Sequence, residues 1–278
     1  MALSIYISFR DFGMVRFIAV SSIIAYGLNT FTLGVQVKKG NTQRVSLRFA
    51  WLAIALHTLY IGLLCQQNNG FSFGLSSVAS LNILGVIVVL LLSALARPVE
   101  KLGLLLFPLA ALILGIDVSA HASLHLLPVH TGAMGVHILS SLLAFSLLTL
   151  AAMQAILLSI QNAQLKRHPP TRFIGMLPSL QTMETFLFQM MSAGVFVLTI
   201  ALTTGFLFLH DLFAQHLAHK TILSLLAWAI FCAILLGRWR YGWRGRVAVN
   251  WTLAGFCLLL LGYFGSKFVL EMILMRAY

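Results

Sequence analysis

Charge is what this sequence lacks. Only 9% of its 278 residues are Asp, Glu, Lys or Arg, and 60% are hydrophobic, whereas an ordinary soluble domain is about 25% charged and about half apolar. A water-facing surface cannot be built from that composition, which excludes a soluble enzyme and a disordered tail. Acids are scarcest of all, six in the whole chain. Asp117 and Asp211 are the only ones expected in external loops, too few for a glycosidase-like carboxylate pair or a calcium cage. The three cysteines, Cys65, Cys232 and Cys257, lie scattered in apolar runs without a CxxC pair, excluding a disulfide scaffold and making a thiolate zinc site improbable. His121 and His125 have the i, i+4 spacing of a zinc hydrolase without the glutamate of HExxH, and no GxSxG nucleophile elbow occurs.

What is present is a series of apolar runs: Phe17 to Val37, Phe49 to Cys65, Leu75 to Ala96, Leu102 to Ile116, His137 to Ile160, Phe186 to Leu209, Ile222 to Gly237 and Trp251 to Leu274. At ~20 residues per transmembrane helix they predict an all-α, polytopic membrane helix bundle of about eight spans, the fourth and seventh short. The first run has no small-residue cleavage pattern and reads as a retained helix. Residues 17–274 are expected to form one transmembrane domain, preceded by a short segment, 1–16.

The net charge of +12 marks topology rather than a nucleic-acid partner. Thirteen of the eighteen Lys and Arg residues fall in the odd-numbered connections: Lys38, Lys39, Arg44 and Arg48; Arg97 and Lys101; Lys166, Arg167 and Arg172; Arg238, Arg240, Arg244 and Arg246. Lys220 is alone in the even-numbered ones. The positive-inside rule therefore places both termini outside. Trp51, Trp239, Trp243 and Trp251 then sit at cytoplasmic span ends, where anchoring at the headgroups is the ordinary reading, and only Trp228 lies deep in a span.

Nine histidines stand out against so little charge. His168 alone is placed in a cytoplasmic loop. His121, His125, His130 and His137 belong to the external connection between spans four and five, and His210, His216 and His219 to that between six and seven. The five earlier loop members, His121, His125, His130, His210 and His216, read ordinarily as polar residues touching water. His137 and His219 sit at helix ends at one membrane depth, and neutral imidazole is a ligand for iron, copper or zinc, so this pair could clamp a haem iron. His57, halfway along span two, is a third candidate, because an ionisable group inside a bilayer usually faces the bundle interior or a cavity.

Two cytoplasmic stretches are unusual. Gly242, Trp243, Arg244, Gly245 and Arg246 open span eight, and Leu177, Pro178, Leu180, Met183 and Glu184 lead into span six. A lipid-anchoring turn accounts for the first and a helix start for the second.

The run from Trp228 through Arg238 to Arg246, followed by Tyr263, Phe264 and Gly265, resembles the C-terminal part of the cytochrome c assembly family, the CcsA, ResC and HemX type of haem-handling membrane proteins, and most of all its small inner-membrane branch, the YpjD type. The helix from His137 with Ser140, Ser141 and Ala144 is similar to the family's external histidine helix. The resemblance implies haem held by external histidines, with His137 at a ligand position and His219 beside the place where the synthases have their tryptophan-rich loop, and an apocytochrome or another membrane assembly protein as partner. The synthases' tryptophan-rich WWD loop has no counterpart in Ala214 to Thr221, Leu236 stands where they have a membrane histidine, and no histidine follows the last span. Haem binding in a bacterial inner membrane, with no catalytic residue, is thus the expectation. The alternatives are a transporter or accessory subunit for a metal ion or small solute, its helices broken near Gly27 to Asn29 or Gly194 with His57 on the path, and a scaffold subunit docking through Gly132 to Gly135.

Overall fold

In the computed structural model, residues 2–39, 47–67, 71–72, 74–120, 126–127, 133–166, 177–208 and 218–265 are described. They form helices α1 (Ala2–Lys38), α2 (Arg48–Gln67), α3 (Leu75–Ala96), α4 (Gly103–Ser119), α5 (Ala133–Leu165), α6 (Leu180–Phe208), α7 (Ala218–Tyr241) and α8 (Arg246–Leu260), the last continued by a π-turn over Leu261–Gly265. Two-residue strands β1 (Phe71–Ser72) and β2 (Leu126–Leu127) pair antiparallel. Among the described residues, eight helices are long and apolar enough to cross a membrane. Phe17, Phe196 and Leu207 are 68 to 71% exposed; such outward faces would aggregate in water and are ordinary against lipid tails.

The helix ends follow local chemistry. The Arg97 to Pro98 step stops α3, because a proline pushes the preceding residue out of the helical region, and Arg97 is extended. Ser179 caps α6, its hydroxyl accepting the Thr182 N–H at 3.2 Å, so Pro178 lies just outside the helix. At the end of α7, Gly242 takes φ +67° and donates its N–H to the Arg238 carbonyl at 3.1 Å, a left-handed cap open to glycine at little cost.

The expected spans are all present, several with longer ends. The fourth extends over Glu100–Ser119 and the seventh over Lys220–Tyr241. Polar residues had hidden this length. The aliphatic stem of a Lys or Arg can lie along an apolar helix while its head reaches the interface, so Lys220, Arg238 and Arg240 belong to α7. Residues 1–16, expected as a separate segment, are the beginning of α1 from Ala2 onward. The far end of the eighth run, from 266 to Leu274, lies outside the described residues.

Packing divides the chain into two units, Met1–Val129 and His130–Tyr278. In the first, α1 packs on α2 and α4, and α3 closes the ring by packing on the same two helices. In the second, α5 packs along α6 and α8, and α7 packs on those same two, so α5 and α7 take diagonal corners. The α5–α6 pair is tight: a side chain at Gly194 would meet Leu148 at 2.8 Å. Both α1 and α6 run unbroken through Gly27 to Asn29 and through Gly194, without the interruptions that the transporter reading requires.

Candidate functional site

His137 lies in the second turn of α5, facing α6. Its Nδ1 is 2.8 Å from the Ala201 carbonyl oxygen. A carbonyl only accepts, so Nδ1 is the donor, which leaves Nε2 as the nitrogen that could offer a lone pair. No protein partner is found for Nε2 among the described residues. One turn beyond Ala201, Gly205 supplies the space: a Cβ there would meet His137 Cε1 at 3.0 Å and Nδ1 at 3.2 Å. The Nδ1 edge of the ring is thus held by the Ala201 carbonyl, and the missing side chain at Gly205 leaves that edge the room to approach α6. This is the arrangement by which an outer partner fixes the tautomer and direction of a metal-ligating histidine.

Aromatic side chains cluster further along the unit. Two turns down α5, Phe145 stacks on Tyr263 at 5.0 Å between ring centroids and meets Phe264 at 5.5 Å and Phe256 at 5.7 Å. Gly262 lets α8 approach the start of α7, since a Cβ there would lie 3.2 Å from Leu223 Cβ. Between α6 and α7, the Trp228 indole N–H donates to Thr199 Oγ1 at 2.9 Å. From that contact, Gly205 lies six residues toward the end of α6 and His219 nine residues toward the start of α7, roughly 9 and 13 Å along antiparallel axes at 1.5 Å per residue. The His219 backbone, in the first turn of α7, therefore lies at the same end of the unit as His137. Its side chain is outside the described residues, as are His121, His125, His130, His168, His210, His216, Asp211 and Gly132.

His57 is in a different setting, fully buried in the first unit. Its Nδ1 faces the Tyr26 hydroxyl at 3.3 Å and its Nε2 the Ser80 hydroxyl at 3.0 Å, so both nitrogens are engaged and α1, α2 and α3 are tied together. Beside it, Tyr60 and Ser77 donate to the two oxygens of Asp117 at 3.3 and 3.0 Å. Asp117, expected in an external loop, is instead a buried residue in the last turn of α4. The two hydroxyl donors are what make burial of that carboxyl tolerable.

Among the described residues no group of three or more His, Cys, Asp or Glu is placed to hold a metal ion. A single imidazole with a fixed tautomer is what this end of the second unit offers, and the chemistry of that donor fits an axial ligand to haem iron. Ala201, Gly205, Tyr26 and Ser80 had not been singled out from sequence. The Ala201 to Gly205 spacing, small residues four apart near a span end, is a legible signal of close approach by a neighbouring helix.

The cytochrome c assembly resemblance is matched by comparison with known proteins. The family described as Cytochrome C assembly protein matches residues 40–274. The inner membrane protein YpjD of Escherichia coli K12 is 30% identical over 265 residues, covering 92% of this chain and 98% of that protein. An uncharacterized 28.8 kDa protein of Azospirillum brasilense is 31% identical over 218 residues, 76% of this chain and 80% of its own. No solved structure matches.

Proposed function

The chain belongs to the cytochrome c assembly family, and on that premise we propose that it is a multi-pass inner-membrane protein that binds haem, with His137 Nε2 as an axial ligand. The observation that carries the reading is the 2.8 Å bond from the His137 ring to the Ala201 carbonyl, which turns an ordinary helix-end histidine into a pre-oriented donor. His219, on the diagonally placed α7 at the same end, is the second axial candidate. Two histidines on opposite corners of a four-helix unit suit a planar ligand held from both faces. The positive-inside assignment puts this end on the external side.

In this reading haem supplies the iron, and the protein supplies orientation and an apolar, aromatic setting through Phe145, Tyr263 and Phe264. We assign His57 a different part: as a ligand it would have to give up Tyr26 or Ser80, so it acts as the hub of the first unit's interior. An apocytochrome or another membrane assembly protein is the partner this function calls for. The test is the absorption spectrum of the full chain purified after haem-replete expression. A haem band that is lost in His137→Ala and weakened in His219→Ala supports the proposal; a colourless wild-type protein overturns it.

A further inference from the structure

At the opposite end of the second unit from His137, the turn between α7 and α8 forms one wall of a cleft of about 280 Å³. The other walls are the last turns of α5 and the first turns of α6, which bring Ser159, Asn162 and Glu184 to face Arg244, Arg246 and Asn250. A simple interfacial anchor does not need this construction. Trp243, the residue expected to anchor in lipid, is folded back on α7: its ring occupies the space over Gly237, where any Cβ would collide with it, and it stacks with Tyr241 at 6.4 Å. Arg238 is also used internally. It pairs with Glu184 at 3.3 Å and lies 3.8 Å over the Phe188 ring, so the one carboxylate in the cleft wall already has a cation.

Arg244 and Arg246 are left. Both are exposed, and neither has a carboxylate partner among the described residues. Between them, Gly245 at φ +58° turns the chain, so that α8 begins beside both guanidinium groups with no side chain capping its N-terminus. Two unpaired guanidinium groups, two amide side chains, a hydroxyl and free helix-end N–H groups then converge on one concave volume. That donor set, with its acid neutralised, is complementary to a phosphate group, which guanidinium binds in a bidentate fashion and a helix N-terminus favours electrostatically.

We propose that this cleft is a specific binding site for a phosphate group, separate from the His137 end. Two sources share that chemistry, the headgroup of an anionic phospholipid and a free phosphate. The full chain, reconstituted in phosphatidylcholine nanodiscs with phosphatidylglycerol added, is examined by native mass spectrometry for retained phosphatidylglycerol, and separately titrated with inorganic phosphate. Retention of phosphatidylglycerol that drops about ten-fold in Arg244→Gln/Arg246→Gln, as expected for loss of charge-assisted contacts, supports the site with a lipid source. Binding of inorganic phosphate with the same sensitivity supports it with a free source.

Arg240→Gln is the control, an exposed cation in the last turn of α7 outside the cleft. An equal loss in that variant would show only the general pull of positive charge on anionic lipid and would overturn the proposal, as would binding of neither probe. Asn162→Leu, which leaves every charge in place, is expected to weaken binding as well, so the proposal does not depend on the double arginine variant folding.

Discussion

His57 and His137 belong to the same residue type in the same kind of helix, yet their surroundings differ in one decisive respect. His57 has a hydroxyl on each ring nitrogen, whereas His137 has a carbonyl on one and, among the described residues, no partner on the other. The difference extends to the units around them. Among the described residues, the buried polar ones of the first unit are Ser22, Asn29, His57, Ser80, Asn82, Glu100 and Asp117; His57 bonds to Ser80 and Asp117 accepts from Tyr60 and Ser77 across helices, while Ser22 and Asn82 bond to backbone carbonyls. Those of the second are Ser146, Gln154, Gln161 and Thr252, and they bond to backbone carbonyls, as Gln154 does to Met183 at 3.2 Å and Gln161 to Pro178 at 3.0 Å. Hydroxyls from neighbouring helices engage both nitrogens of His57, whereas the Gln154 and Gln161 amide nitrogens bond to carbonyls at and just before the start of α6 and do not touch His137. On the proposed reading, burial alone is a poor guide to a ligand, and the state of the second nitrogen is a better one.

The largest expected effect separates the two histidines outright. His137→Ala should remove the haem band, whereas His57→Ala should leave the band in place for each folded molecule. If His57→Ala abolishes the band in protein that remains folded, the contrast between the two residues is wrong. The stability ranking should run the other way. His57→Ala strands the Tyr26 and Ser80 hydroxyls in an apolar interior and leaves a cavity, costing about 3 kcal/mol, read as a lower thermal midpoint in detergent; His137→Ala should cost about 1 kcal/mol.

A smaller effect sharpens the His137 side. Gly205→Leu places a side chain where the imidazole ring lies, and the ring can stay only by giving up the Ala201 carbonyl. With the ligand residue retained and its orientation lost, haem affinity should fall by about 10- to 100-fold, the usual range for disturbing an outer partner of a metal-binding histidine. Haem titration of the purified protein measures it, and an unchanged affinity would mean that the carbonyl does not set the ligand.

Much of this was legible in the residues. The eight spans follow from unbroken apolar length, and His137, the proposed ligand, stands out in sequence because it opens a span in a chain with almost no other chemistry. The orienting partners were not legible in the same way. Ala201 acts through its backbone oxygen, which every residue has, and Gly205 acts by absence. Asp117 was misplaced because an acid near the end of an apolar run reads as loop when its donors, Ser77 on α3 and Tyr60 on α2, lie 40 and 57 residues away in sequence. Arg238 was read with its neighbours as a basic turn. Only the packing of α6 against α7 separates it, paired with Glu184, from Arg244 and Arg246.

The smallest expected effect tests whether the first unit's polar interior is built for stability. Asn29 is fully buried on α1, one turn from Tyr26, and neither its side-chain nitrogen nor its side-chain oxygen has a hydrogen-bond partner among the described residues. An unpaired amide in such a place costs free energy, and an apolar residue of similar volume removes that cost. Asn29→Leu should therefore raise the thermal midpoint, by the equivalent of about 1 kcal/mol, while leaving the His57 bonds to Tyr26 and Ser80 intact. A gain would set Asn29 apart from its neighbours as a residue kept for something other than folding. A loss comparable to that of His57→Ala would make it a full member of the same network, and the first unit's interior would then be a single cooperative structure from Asn29 to Asp117.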